Sequence, residues 1–290
     1  MPVIRPIRRL LIANRGEIAS RIAHTCHSMG IEVVAVCSSA DRGSPHLELA
    51  DIAVEIGPAA AAESYLAIDK LIAAAVDTGA DAIHPGYGFL AENAAFARAV
   101  DDAGLIFVGP TAEVIKALGS KTDASAIAER VGLAGVPRFD PAKPDAIELP
   151  CMVKASAGGG GKGMQIIRAV AELAPAIEST RRLAAAAFGD DTIIVEAYLE
   201  RARHIEIQVI GDQHGDVIHL GERECSIQRR HQKVIEETPA PHLPDEGRQQ
   251  MATAAVALAR EVGYTGAGTV EMILAPDGRV FVLEVNTRLQ

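Results

Sequence analysis

The chain has 290 residues, with 28 Lys and Arg against 38 Asp and Glu, which gives a formal net charge of −10. Its length suits roughly two domains, and a 49% hydrophobic share is enough for sizeable cores, which excludes wholesale disorder. The acidic balance and the 3% aromatic content, without any tryptophan, disfavour general binding to nucleic acid or to anionic membranes.

The cysteines and the N-terminus indicate the compartment. Cys26, Cys37, Cys151 and Cys225 are far apart and form no C-x-x-C pair, which predicts reduced thiols. The apolar run at residues 10–13 is too short for a signal peptide, and no run approaches the roughly 18 apolar residues of a membrane helix. We therefore expect a soluble, cytoplasmic protein.

The first hundred residues alternate predicted strands with predicted helices. The strands are expected at residues 9–13, 31–37, 82–84 and 105–108, and the helices at 16–29, 68–76 and 94–102. This alternation predicts a parallel sheet with helical crossovers, that is, a Rossmann-like domain. Its first turn, residues 14–18, has one glycine where the dinucleotide-binding fingerprint has three, so we expect no NAD or FAD site there.

The second half follows a different pattern. Helices are expected at 112–118, 123–131, 172–187 and 247–262, and strands at 152–155, 164–167 and 193–196, with a proline-rich connector at 136–150. Strict alternation over 204–210 predicts half-buried antiparallel strands, and residues 268–285 predict a hairpin that turns at Asp277-Gly278. The predicted fold class is therefore α/β followed by α+β.

A glycine run lies between two of the predicted strands. The segment from Lys154 to Met164 reads KASAGGGGKGM and contains Gly158, Gly159, Gly160, Gly161, Lys162 and Gly163. Unhindered backbone N–H groups can surround a phosphate, and flanking lysines offset its charge. Lys162 is followed by glycine rather than Ser or Thr, so the segment predicts a flap over phosphates and not a Walker A loop. The alternative is a flexible hairpin turn.

Two further clusters carry charge. Glu271 and Glu284 interrupt the apolar strands of the closing hairpin, and with Asn286 they predict an oxygen-rich site for Mg²⁺; a solvent-facing row of acids is an equally weighted alternative. Residues 222–237 hold a dense basic cluster, which predicts a small-anion pocket rather than a solvated face. Within it, we expect Cys225 to pack rather than to act as a nucleophile.

His84 opens the segment HPGYGFLAEN after a predicted strand. The end of a parallel strand is a common ligand position in open sheets. We nevertheless expect a lone histidine there to hold its loop by hydrogen bonds.

Taken together, these segments resemble the biotin carboxylase component of biotin-dependent carboxylases, in the ATP-grasp superfamily. The resemblance rests on LLIANRGEIASRI, AIHPGYGFLAEN, KASAGGGGKGM, RHIEIQVIGD, ERECSIQRRHQKVIEE, GAGTVEMI and FVLEVNTRLQ, which occur in the family's order and cover almost the whole chain. It is similar in particular to the α-chain of bacterial acetyl- and propionyl-CoA carboxylases.

The resemblance implies a division of the chain. The expected parts are a Rossmann-like N-terminal (pre-ATP-grasp) domain at 1–110, a helical linker at 111–128, an ATP-grasp lid subdomain with the glycine-rich flap at 129–198, and an incomplete C-terminal ATP-grasp subdomain at 199–290. The family continues past Gln290 with a Val-Glu-His-Pro segment, whose glutamate is the proposed base, and later supplies another arginine to biotin. The resemblance therefore implies a C-terminally truncated carboxylase.

The implied activity is ATP- and bicarbonate-dependent carboxylation of biotin through carboxyphosphate, the first half-reaction of an acyl-CoA carboxylase. Implied cofactors are ATP, Mg²⁺ (or Mn²⁺) and biotin, and implied partners are a biotin carboxyl carrier protein or domain, a carboxyltransferase subunit and a second copy in a homodimer. One alternative is a nucleotide-binding pseudoenzyme or inactive fragment. Another is an ATP-grasp ligase with a different nucleophile, against which the RRHQK and NTR segments argue.

Site residues are implied by matching motifs. The implied nucleotide contacts are Lys121 and Lys154 at the phosphates, Gly158 to Gly163 and Met164 in the flap, Glu196 and Leu199 at the adenine, and His204, Gln228 and His231 near the ribose and phosphates. Glu271, Glu284 and Asn286 would hold two metal ions, Lys233 would assist bicarbonate, and Arg288 would stabilise charge on the biotin enolate. Ala197 stands where the family usually has lysine, which implies weaker nucleotide binding.

Overall fold

A computed structural model describes residues 5–156, 164–230 and 232–290. These residues contain three β-sheets of five, four and six strands. Every helix among them is too short or too polar to span a membrane. All four cysteines are buried and free of disulfide bonds, as expected for reduced thiols.

The N-terminal sheet is parallel, with strand order β3-β2-β1-β4-β5. The strands are β1 (Arg9–Ile12), β2 (Glu32–Ser38), β3 (Ile52–Gly57), β4 (Ala82–His84) and β5 (Ile106–Phe107), and the helices are α1 (Gly16–Ser28), α2 (Ile68–Asp77) and α3 (Ala94–Asp102). This architecture confirms the predicted Rossmann-like part. The edge strand β3 was not predicted, because the acids Asp51 and Glu55 dilute its apolar pattern.

Both faces of this sheet are covered, which explains why its inner strands are continuously apolar. Leu11, Val34 and Ile83 pack on one side, whereas Leu10, Ile12 and Val33 pack on the other. The strand order reverses between β1 and β4, and such a reversal brings the loops that follow the two strands together. Accordingly, Asn14 Nδ2 donates to the carbonyl oxygens of Pro85 and Tyr87 at 2.8 and 2.7 Å.

The middle of the chain contains the predicted helices and a small antiparallel sheet of order β7-β10-β8-β9. Its elements are α4 (Ala112–Gly119), α5 (Lys121–Arg130), β6 (Ala134–Gly135), β7 (Arg138–Phe139), β8 (Cys151–Ala155), β9 (Gln165–Ile167), α6 (Val170–Phe188) and β10 (Ile193–Ala197). The predicted connector at 136–150 contains β7 and one 3-10 turn. Strand β6 pairs instead with the six-stranded sheet. The predicted domain boundaries remain predictions.

The C-terminal sheet has strand order β13-β12-β11-β14-β15-β6. Its remaining elements are β11 (Arg203–Gly211), β12 (Val217–Arg229), β13 (Gln232–Glu237), α7 (Asp245–Glu261), β14 (Gly266–Leu274) and β15 (Val280–Asn286). The predicted alternation is confirmed: Ile205, Ile207 and Val209 are fully buried in the core that includes α7. The β12–β13 hairpin was not predicted, because charged residues interrupt its apolar pattern.

Candidate active site

The polar face of the six-stranded sheet carries a row of carboxylates. Glu206 on β11 is in register with Arg223 on β12 and with Glu271 on β14, and Glu271 is in turn opposite Glu284 on β15. Residues that are directly opposite on neighbouring antiparallel strands share one face, so the three carboxylates form a line across the sheet. Glu206 was not among the predicted site residues. Its place in the alternation, two residues after His204, was the signal that could have revealed it.

Lys233 joins two members of this row. Its Nζ donates to Glu206 Oε2 at 2.5 Å and to Glu271 Oε1 at 2.6 Å. Arg223 donates to the other oxygen of Glu206, whose side chain is completely buried. Burial alone would lower the pKa of Lys233, but the two carboxylates raise it above its ordinary value. The site therefore holds a charged ammonium in a largely buried position.

The carboxylate of Glu271 is in contact with three polar side chains. In addition to Lys233, Asn286 Nδ2 donates to its Oε1 at 2.6 Å, and His204 Nε2 lies 2.8 Å from its Oε2. Burial by itself would raise the pKa of Glu271, but His204 and Lys233 lower it to about 2. The side chain is therefore a carboxylate at neutral pH and keeps its capacity to bind cations.

His204 is oriented from its other side. The amide nitrogen of Gln228 lies 2.7 Å from His204 Nδ1 and also donates to the Cys225 carbonyl oxygen at 2.8 Å. An amide that donates to Nδ1 leaves the proton on Nε2, which faces Glu271. The structure thus brings together four predicted site residues: His204, Gln228, Lys233 and Glu271.

Arg288 lies at the end of this network. Its Nη2 donates to Asn286 Oδ1 at 2.7 Å, so Asn286 bridges Arg288 and Glu271. Glu284 lies opposite Glu271 on the next strand, and the possible ligand atoms of Glu271, Glu284 and Asn286 are carboxylate and amide oxygens. Mg²⁺ prefers such donors, so these three residues fit the metal predicted from the sequence.

A second group lies in the four-stranded sheet. Lys154 on β8 and Glu196 on β10 are diagonal neighbours, and Lys154 Nζ donates to Glu196 Oε1. Their exposed fractions are 4% and 5%, so each charge depends on the other for compensation. Leu199 follows β10 and Met164 precedes β9, both half-buried, while Lys121 begins α5. The predicted contacts of Gly158 to Gly163 and of His231 lie outside the described residues.

Cys225 has the packing role expected from the sequence. It is fully buried, and burial raises the pKa of its thiol to about 12, which keeps it protonated. Its Sγ and the carboxylates of Glu206 and Glu236 lie within 4.8 Å of one another. A protonated thiol, however, is a poor metal ligand. This cluster therefore does not suit a metal ion.

His84 also has the structural role expected of it. Its Nδ1 accepts a hydrogen bond from the Gly86 backbone N–H at 3.0 Å, which holds the loop after β4. Burial lowers the pKa of this imidazole to about 4, so the ring is neutral at pH 7 and can act as an acceptor.

We predict that His84 makes the protein acid-sensitive. The pKa of His84 is about 4 in the folded chain and 6.5 in a free side chain. Its contribution to stability is therefore fully present above pH 6.5 and is lost as the pH falls toward 4, with a maximum loss of roughly 3 kcal/mol. NMR titration of the ring protons, assigned with the His84→Gln variant, should give a midpoint near pH 4. A midpoint near 6.5 would contradict this prediction.

Comparisons with known proteins agree with this fold and site. Residues 6–115 match the family model "Biotin carboxylase, N-terminal domain", and residues 141–290, more than half of the chain, match "Carbamoyl-phosphate synthase L chain, ATP binding domain". The fold and the site thus define an ATP-grasp protein with a Rossmann-like domain before its ATP-binding domain. The chain belongs to the biotin carboxylase family.

Similar proteins are longer than this chain. It is 51% identical to the mitochondrial methylcrotonoyl-CoA carboxylase subunit alpha of Dictyostelium discoideum, across 99% of this chain and 42% of that protein. It is 49% identical to the biotin carboxylase of Pseudomonas aeruginosa, across 98% of this chain and 65% of that protein. The chain therefore spans about two fifths to two thirds of the length of these relatives.

Two solved structures share the fold. The biotin carboxylase–beta-gamma-ATP complex from Campylobacter jejuni has a TM-score of 0.95 and 42% identity, across 98% of this chain and 66% of that one. The biotin carboxylase domain dimer of 2-oxoglutarate carboxylase from Hydrogenobacter thermophilus, described with MgADP, ADP and bicarbonate, has a TM-score of 0.95 and 40% identity. That comparison covers 99% of this chain and 65% of the other.

Proposed function

We propose that this chain forms the nucleotide and bicarbonate site of a biotin carboxylase, which carboxylates biotin at the expense of ATP. The observation that carries the proposal is the placement of Lys233 between Glu206 and Glu271, next to Asn286 and Arg288. An ammonium and a guanidinium thereby flank a set of oxygen ligands, as a reaction between two anions requires. The names of the relatives support the same activity.

The nucleotide would be held mainly by the smaller sheet and its flap. In this proposal Lys154 and Lys121 contact the phosphates, residues 158–164 cover them, and Glu196 and Leu199 lie at the adenine. His204 and Gln228 approach the ribose and phosphates from the larger sheet, and His231 is assigned the same contact from its motif. The buried Lys154–Glu196 pair supports this assignment, because an ammonium that is already desolvated is well prepared to bind a phosphate.

Glu271, Glu284 and Asn286 would hold two Mg²⁺ (or Mn²⁺) ions. When bound, these ions would neutralise phosphate charge. The oxygen donor set and the low pKa of Glu271 support this role, because a ligand that is already ionised needs no deprotonation to bind.

The chemistry assigned to the chain proceeds in three steps. A bicarbonate oxygen attacks the γ-phosphorus as the bond to ADP breaks, which yields carboxyphosphate. Its C–O bond then breaks to give CO₂ and phosphate, the released phosphate accepts the ureido N–H proton of biotin, and the deprotonated nitrogen bonds to CO₂. Lys233 would orient bicarbonate and balance charge on the phosphoryl group, and Arg288 would stabilise the negative charge on the biotin enolate.

Replacement of Glu284 with glutamine should weaken binding of Mg-nucleotide about tenfold, because one charged oxygen ligand is lost while the side chain keeps its size. Isothermal titration with MgADP measures this affinity. Glu246→Gln, an exposed position on α7, is the matched control and should leave the affinity unchanged. If the Glu284→Gln variant binds MgADP with unchanged affinity, Glu284 is not a metal ligand.

The decisive experiment is release of phosphate from MgATP with bicarbonate, in the presence and absence of free biotin. Turnover that biotin stimulates would establish the carboxylase activity for these 290 residues. Binding of MgADP without turnover would instead favour a nucleotide-binding module that does not carboxylate. Turnover with amine acceptors but not with biotin would identify a different ATP-grasp ligase.

The proposal extends to partners and location. The biotinyl group would arrive on a carrier protein or domain, and a carboxyltransferase subunit would use the product. One similar structure is described as a dimer, which supports a homodimer. The four buried, unpaired cysteines support a reducing compartment such as the cytoplasm.

A further inference from the structure

The loop after β4 reaches across to the end of β15. Oε1 of Glu92 accepts a hydrogen bond from the Thr287 backbone N–H at 3.1 Å, and Oε2 accepts one from Arg288 Nε at 3.1 Å. One carboxylate in the N-terminal part of the chain therefore binds both the backbone before Arg288 and its guanidinium.

Glu92 is presented by a well-supported piece of backbone. Ala91 before it is buried, and Asn93 after it caps α3 by accepting a hydrogen bond from the Phe96 N–H at 2.9 Å. Upstream, His84 and Asn14 hold the same loop through the contacts described above. A side chain on a rigidly held backbone can hold the groups that it contacts in one orientation.

The opposite side of the guanidinium is held as well. Arg288 Nη2 donates to Asn286 Oδ1 at 2.7 Å, and Asn286 donates to Glu271 at 2.6 Å. A guanidinium is planar, so two contacts on different nitrogens determine its orientation. Nη1 also donates to the Leu289 carbonyl oxygen at 3.2 Å and to Gln290 Oε1 at 3.0 Å, both within the segment that carries Arg288. Glu92 on Nε and Asn286 on Nη2 are the contacts that connect the loop of the N-terminal sheet to the row of carboxylates.

We propose that Glu92 is a positioning residue, which sets the orientation of Arg288 toward the acceptor biotin. The expected effect on turnover rests on the proposed function, whereas the contact between Glu92 and Arg288 does not. Glu92 has two acceptor oxygens for two donors, whereas glutamine has a single acceptor oxygen and an NH₂ group. In Glu92→Gln, the NH₂ group must therefore face either the Thr287 N–H or the Arg288 Nε–H, and one hydrogen bond is lost.

The experiment compares wild type with Glu92→Gln, Glu92→Asp and Glu261→Gln. Glu261 is the matched control, because its Oε1 likewise accepts from an arginine Nε, that of Arg130, at 2.9 Å on the surface. The first measurement is solvent exchange of the Arg288 Nε–H by ¹⁵N NMR, with the signal assigned by its absence in Arg288→Lys. Exchange should be about tenfold faster in Glu92→Gln and unchanged in Glu261→Gln.

The second measurement separates positioning from general stability. In Glu92→Gln, kcat for biotin-stimulated turnover should fall about tenfold, while the Kd for MgADP stays within about twofold. Glu92→Asp keeps both oxygens and should recover part of kcat. Unchanged exchange of the Arg288 Nε–H overturns the proposal, as does altered exchange with unchanged kcat. If wild type shows no biotin-stimulated turnover, the proposed function fails, and the exchange rates still decide whether Glu92 fixes Arg288.

Discussion

Replacement of Lys154 with alanine should weaken MgADP binding about 100-fold, a loss of about 2.7 kcal/mol. In the proposed function, Lys154 supplies a charged hydrogen bond to the phosphates. Its ammonium is buried against Glu196, with side-chain exposures of 5% and 7%. Removal of the ammonium leaves that carboxylate uncompensated and facing the nucleotide, so the variant loses an attraction and acquires a repulsion. Isothermal titration with MgADP measures the change.

Two controls test this interpretation of Lys154→Ala. Lys143→Ala removes an exposed lysine from the same part of the chain, and it should leave the affinity for MgADP unchanged. The double variant Lys154→Ala/Glu196→Gln removes the uncompensated carboxylate. It should therefore bind MgADP about tenfold more tightly than Lys154→Ala does. An MgADP affinity within about threefold of wild type in Lys154→Ala would contradict a phosphate contact at this position.

Replacement of Lys233 with methionine should lower the free energy of unfolding by about 3 kcal/mol. Methionine fills nearly the same space, so the main change is the loss of the charge that lies between Glu206 and Glu271. The side chains of Glu206 and Glu271 are 0% and 6% exposed. The two residues are neighbours in register across β11 and β14. Glu206 keeps Arg223 and Glu271 keeps Asn286, so the loss lies at the lower end of values for broken buried pairs. Urea unfolding at pH 7 measures it.

The same substitution should abolish phosphate release from MgATP if Lys233 binds bicarbonate as proposed. The double variant Lys233→Met/Glu206→Gln separates the two effects. Glutamine removes one of the two carboxylates, so about 1 kcal/mol of stability should return while phosphate release stays absent. An unfolding free energy of Lys233→Met within about 0.5 kcal/mol of wild type would show that the ammonium does not compensate these carboxylates.

Much of the architecture followed from the sequence because it depends on local periodicity. Continuous apolar strands between helices indicated a parallel sheet covered on both faces, and the alternation from His204 to Ile210 indicated one buried and one polar face. The structure confirms both patterns. The local signal failed at β3 and at the β12–β13 hairpin, where charged residues interrupt the apolar pattern.

The sequence alone also indicated several residues of the candidate site, because its motifs single out Lys154, Lys233, Glu271 and Arg288, but it did not indicate Glu206. Only the tertiary structure decided how they are paired. Glu206 and Glu271 are 65 residues apart along the chain and become neighbours through the register of β11 and β14, and Glu92 reaches Arg288 across 196 residues. These pairings depend on strand register and on the order of strands in a sheet. A pattern of period two fixes the face on which a residue lies but not its partner on the next strand.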